Sequence, residues 1–76
     1  MEKRRKEIHT LLVELKNKGD IFNRMGGALY SAIIADEMTK INYQLWSMYG
    51  VKVKYTQPCD GRVEWENLDE LIEKYS

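Results

Sequence analysis

The side chains that could carry reaction chemistry in this 76-residue chain are few, and their spacing limits what they can do. There is one histidine, His9, and one cysteine, Cys59, far apart in the chain. A Cys–His nucleophile needs a third group to orient the imidazole and donors for an oxyanion, and no motif supplies either. A structural zinc site takes four ligands, more than one His and one Cys provide. Asp36 and Glu37 are adjacent, so on a helix they point roughly 100° apart and do not converge. Glu64, Glu66, Asp69 and Glu70 are accounted for by strand pairing and helix capping. Gly26-Gly27 matches neither GxxxxGK[ST] nor GxGxxG, so no phosphate loop is indicated. The expectation is a protein that is not an enzyme and has no metal or cofactor site.

Two further groups of residues suit binding. Lys3-Arg4-Arg5-Lys6 could neutralise phosphates, giving a salt-dependent affinity for a polyanion. The sharper form of that idea is a winged helix-turn-helix. Ala28 to Met38 would be its first helix, Thr39 to Asn42 the turn, Tyr43 to Tyr49 the recognition helix, and residues 51 to 65 the wing, with Lys52, Lys54 and Arg62 toward phosphate. Against it, Thr39 to Asn42 has no Gly, Ile41 continues an unbroken apolar stripe, and residues 43 to 49 carry no Arg or Lys to read guanine. The net charge of zero also speaks against a surface built wholly for nucleic acid.

The second group is aromatic. Tyr43, Trp46 and Tyr49 lie apart from the main apolar stripe of the same helix, and Tyr and Trp concentrate where protein interfaces have their energetic centre. Asn42 and Arg24 are the expected rim. The functional expectation is a small regulatory or adaptor domain acting by protein–protein contact as a homodimer, with the winged-helix DNA-binding regulator as the alternative. The aromatic group could instead be covered within the chain by Val53, Tyr55, Val63 and Trp65.

Those residues must be positioned by a small α+β domain spanning residues 1–76. Its expected order is helix 1, a broken or kinked long helix 2, a β-hairpin and a short C-terminal helix. Ile8, Leu11, Leu12 and Leu15 form one stripe, and Gly19 is placed to stop the first helix, after which Asp20 could cap another turn. Gly26-Gly27 would break the chain again after that turn. Tyr30, Ile34, Met38, Ile41, Leu45 and Met48 recur at helical spacing up to Gly50. Small residues at 27, 28, 31, 32 and 35 suit close backbone packing.

After Gly50 the period changes to two. VKVKYT and RVEW flank the turn QPCDG, and pairing Thr56 with Arg62 sets Tyr55 against Val63 and Val53 against Trp65. Asn67 with Glu70 has the form of a capping box opening a helix that carries Leu68, Leu71, Ile72 and Tyr75. Residues 1 to 18 hold six basic and three acidic side chains, and residues 66 to 76 hold one and four, so the two ends attract. No run approaches a membrane span, no apolar segment follows the N-terminal charges, and the lone Cys gives a cytoplasmic location as the expectation.

Overall fold

A computed structural model describes residues 2–25, 31–56 and 63–76. In chain order these form α1 (Glu2–Met25), α2 (Ser31–Tyr49), β1 (Tyr55–Thr56), β2 (Glu64–Trp65) and α3 (Leu68–Lys74), an α+β arrangement in the expected order. The two long helices pack along each other, α3 docks on α1, and β1 pairs antiparallel with β2. The Gly26-Gly27 break lies outside the described residues.

The core is built where apolar spacing meets across these elements. Ile8, Leu12, Leu15 and Phe22 come from α1, Met38, Ile41 and Leu45 from α2, Val51, Val53 and Val63 from the hairpin arms, and Leu68 from α3. Leu12, Leu15, Leu45 and Leu68 are almost wholly enclosed. Met48, which its spacing assigns to this stripe, is 59% exposed, and Ala32, which suits a close-packed seam, is exposed as well.

α1 does not stop at Gly19. The helix runs on to Met25, and both Gly19 and Asp20 are inside it. The buried positions Ile8, Leu12, Leu15, Gly19 and Phe22 continue a four-three-four-three spacing, so Gly19 occupies the apolar stripe itself. Its missing side chain makes room for the hairpin: a Cβ there would lie 2.5 Å from Trp65 Cζ2. Close packing, and not a left-handed cap, is what the glycine provides. Gly50 does take a left-handed φ of 68° at the end of α2. The N–H groups of Gly50 and Val51 then bond back to the carbonyls of Trp46 and Leu45.

α2 is helical through Thr39 to Asn42, and Thr39 Oγ1 donates to the carbonyl of Ala35 one turn back at 2.9 Å. The helix-turn-helix placed on those four residues is therefore absent. An uninterrupted stripe of Met38, Ile41 and Leu45 against α1 rewards continuing the helix there.

The hairpin register also differs. Tyr55 pairs with Trp65 and Thr56 with Glu64, so Tyr55 meets Trp65 where Val63 was expected. A shift of two residues keeps Val51, Val53 and Val63 on the expected inward face, whereas Tyr55, expected inward with them, is 41% exposed. It puts the Tyr55 and Trp65 rings 5.6 Å apart, a tilted aromatic pair.

Asn67 is not a side-chain cap for α3. Its amide is spent on the arm leading into β1, with Oδ1 accepting from Lys54 N–H at 2.8 Å and Nδ2 donating to the Lys52 carbonyl at 3.2 Å. The amide thus stands in for a strand partner along residues 52 to 54.

Candidate protein-contact surface

The core face of α2 looks onto α1, which leaves the opposite face to be accounted for. Tyr43 and Trp46 stand on it one turn apart and are 67% and 60% exposed. With Thr39, Asn42, Lys52 and Val53 they line a cleft of about 320 Å³ between α2 and the arm that leads to β1. The cleft is held in shape from below: Val53 is buried in the core, and Asn67 pins its neighbours on both sides. The described residues of the hairpin arms leave the two aromatic rings exposed. Trp65 is drawn instead onto Gly19 of α1, and Val63 onto Asn23.

Tyr49 belongs to a different environment. It is half-buried beside α1, and its hydroxyl donates to Glu7 Oε2 at 2.7 Å while the Arg4 guanidinium lies 5.5 Å from the ring centre. The hydrogen bond to Glu7 and burial hold its phenol above the ordinary value of 10.0. Arg24 is exposed near the end of α1 and does not line the Tyr43–Trp46 cleft. Of the five residues expected to share one interface, the structure brings Tyr43, Trp46 and Asn42 together.

The basic residues are dispersed. Arg4 stacks on Tyr49, and Arg5 donates to the Lys74 carbonyl at 3.0 Å, satisfying the end of α3. Lys3 and Lys6 border a depression on the other side of α2 with Gln44 and Met48, whereas Lys52 borders the Tyr43–Trp46 cleft. Lys54 is exposed, and Arg62 lies outside the described residues. The attraction between the chain ends takes the form of a Lys16–Asp69 ion pair at 2.6 Å linking α1 to α3. Lys18 is paired with Glu37, joining α1 to α2, and Asp36 with Lys40 at 3.1 Å along α2 itself. His9 is half-buried on α1, and Cys59 lies outside the described residues.

Comparison with protein-family models, curated proteins and solved structures finds no match to this chain. Its function is therefore argued from the surface alone. No helix among the described residues is long and apolar enough to cross a membrane.

The sequence singled out Tyr43 and Trp46 by their position off the apolar stripe. It gave no hint that Thr39 and Val53 border the same cleft, because that depends on the residues after Gly50 folding back along α2. The two-residue alternation after Gly50 showed which side chains point inward, but not which helix they point toward.

Proposed function

We propose that the chain is a non-enzymatic regulatory or adaptor domain that works by protein–protein contact, with Tyr43 and Trp46 as its anchors. The observation that supports this is the exposure of two large aromatic side chains, one turn apart, on a helix whose other face is already committed to the core. Scattered exposed apolar residues are ordinary, but neighbouring Tyr and Trp beside a preformed cleft match the make-up of an interface centre. Both rings bring large area with few torsions to freeze on binding. Continuous helix through Thr39 to Asn42 and the dispersal of the basic residues give no comparable support to a nucleic-acid contact.

Sedimentation velocity on the wild type, Tyr43→Ala and Trp46→Ala tests the simplest form of the contact, self-association. A wild type heavier than 9.0 kDa at micromolar concentration, with both variants reduced to the single chain, supports this face as the contact. A larger species that survives both substitutions removes the face from that role. A wild type that stays monomeric leaves a different protein as the partner, to be read by photo-crosslinking from position 43.

A further inference from the structure

Tyr49, the last residue of α2, divides the basic run that opens α1. Lys3 and Lys6 border the depression on one side of it, and Arg4 and Arg5 border a cavity of about 510 Å³ on the other. Three helix ends meet at that cavity. α1 contributes Glu2, Arg4, Arg5 and Ile8, α2 contributes Tyr49, and the end of α3 brings Lys74 and Tyr75 from far along the chain. Ile8 is buried and the two tyrosines are half-buried, which makes an apolar floor and walls, while the three cations are exposed. The cavity shares no residue with the Tyr43–Trp46 cleft.

Contacts within the cavity hold its cations. The Arg4 guanidinium lies 5.5 Å from the centre of the Tyr49 ring, Arg5 donates to the Lys74 carbonyl at 3.0 Å, and the Lys74 ammonium lies 5.6 Å from the centre of the Tyr75 ring. That bond uses one of the several N–H donors in the Arg5 fork. Against three positive charges the described lining sets one carboxylate, Glu2, a balance of +2 (three minus one). A phosphate monoester carries about −1.5 to −2 at neutral pH, and arginine forks match its oxygens. Phosphate alone would fill a small part of the cavity and leave Ile8, Tyr49 and Tyr75 uncovered. A flat ring covers them, packing on tyrosine faces and guanidinium planes. We infer that this three-helix junction binds a small aromatic phosphate monoester, with its phosphate on Arg4, Arg5 and Lys74 and its ring on Ile8, Tyr49 and Tyr75. The site goes beyond the protein-contact reading and stands independently of it.

The test is an NMR titration of the ¹⁵N-labelled chain with phenyl phosphate, inorganic phosphate and phenol. Phenyl phosphate is expected to shift the backbone amides of Arg5, Tyr49 and Tyr75 and the Nε–H signals of Arg4 and Arg5. It is expected to bind at least about tenfold more tightly than either fragment, because phosphate meets only the cations and phenol only the apolar walls. Arg4→Gln combined with Arg5→Gln should weaken it by at least about tenfold. Lys3→Gln combined with Lys6→Gln removes the same charge from the other side of Tyr49 and should weaken it by less than about twofold. Lys74→Gln leaves in place the carbonyl that Arg5 uses, and a loss of about threefold there supports the site even where the arginine variant fails to fold. No shift at Arg5, Tyr49 and Tyr75 with millimolar phenyl phosphate overturns the inference. So does inorganic phosphate or phenol binding as tightly as phenyl phosphate. Equal losses in the lysine and arginine variants would mean diffuse attraction to a basic helix end and would overturn it as well.

Discussion

The side-chain amide of Asn23 makes both halves of a backbone-like pair with Val63: Nδ2 donates to the Val63 carbonyl at 3.1 Å, and Oδ1 accepts from its N–H at 2.7 Å. Val63 is 4% exposed, so without this partner both of its backbone groups would be buried and unpaired. Asn23→Ala is expected to cost about 2–3 kcal/mol, the usual range for orphaning buried backbone groups. Urea denaturation measures it, and a loss below about 0.5 kcal/mol would mean that water replaces the amide.

Asn67 does the same for the other arm, and a substitution can separate this role from capping. Asp is as good an N-cap as Asn. Asn67→Asp keeps an acceptor for Lys54 N–H but loses the donor to the Lys52 carbonyl. The variant is expected to lose about 1 kcal/mol of stability, with faster amide exchange along residues 52 to 54. A cap would survive the change, so unchanged stability and exchange would return Asn67 to that role.

Gly19 supplies a test in which two effects have opposite signs. Gly to Ala inside a helix ordinarily stabilises by about 1 kcal/mol. Here the new Cβ would sit 2.5 Å from the Trp65 ring, which is rigid and packed between α1 and Tyr55. Overpacking costs about 1–3 kcal/mol. Gly19→Ala is thus expected to lower the urea midpoint, and Gly19→Ala combined with Trp65→Leu to be less destabilised than the two single effects added together. A midpoint that rises in Gly19→Ala would contradict the packing role.

That glycine also marks the limit of what the sequence discloses. Element order, the end of α2 at Gly50 and the inward faces of both hairpin arms follow from periodicity, because each depends on residues near one another in the chain. A glycine after two lysines looks like a helix stop on local grounds. The contrary signal was Phe22, seven residues beyond Leu15 and in phase with it, but the reason for the glycine is a tryptophan far along the chain. Asn67 misleads in the same way, since capping is its commonest local use and its actual partners are Lys52 and Lys54. The register moved by two because alternation fixes which face a residue takes but not which residue it meets. The Tyr43–Trp46 pair was legible as surplus to the core stripe. Its openness was not, because Val53 and Trp65 could equally have been laid over it.

Stability is expected to fall in alkali. Tyr49 has its phenol raised above 10.0 by the hydrogen bond to Glu7 and by burial, so the folded state favours the neutral form. Its contribution is complete below that value and is lost as pH rises through the raised one. Lys16 is raised above 10.5 by its hydrogen bond and charge interaction with Asp69, and its contribution disappears in the same direction. Thermal unfolding at about pH 9 and about pH 11 should show the decline. Ultraviolet titration should show a late phenol for Tyr49 that moves down in Glu7→Ala. A Tyr49 that titrates no later than an ordinary phenol would contradict the contact.

The two tryptophans are expected to separate stability from contact. Trp65 packs on Gly19 and Tyr55, so Trp65→Ala should cost about 3 kcal/mol. Trp46 is 60% exposed, and Trp46→Ala should stay within about 0.5 kcal/mol of the wild type. Chemical denaturation followed by circular dichroism measures both, and a large loss in Trp46→Ala would make the ring part of the core.

The central claim, that the Tyr43–Trp46 face meets another polypeptide, is tested most directly by placing a photo-crosslinking amino acid at position 43 in cells of the native host. Position 20, exposed on α1, serves as the control. The predicted result is a discrete adduct with a polypeptide from position 43, absent from position 20 and lost when Trp46 is also changed to Ala. Adducts of equal yield from both positions, or none from position 43, would contradict it.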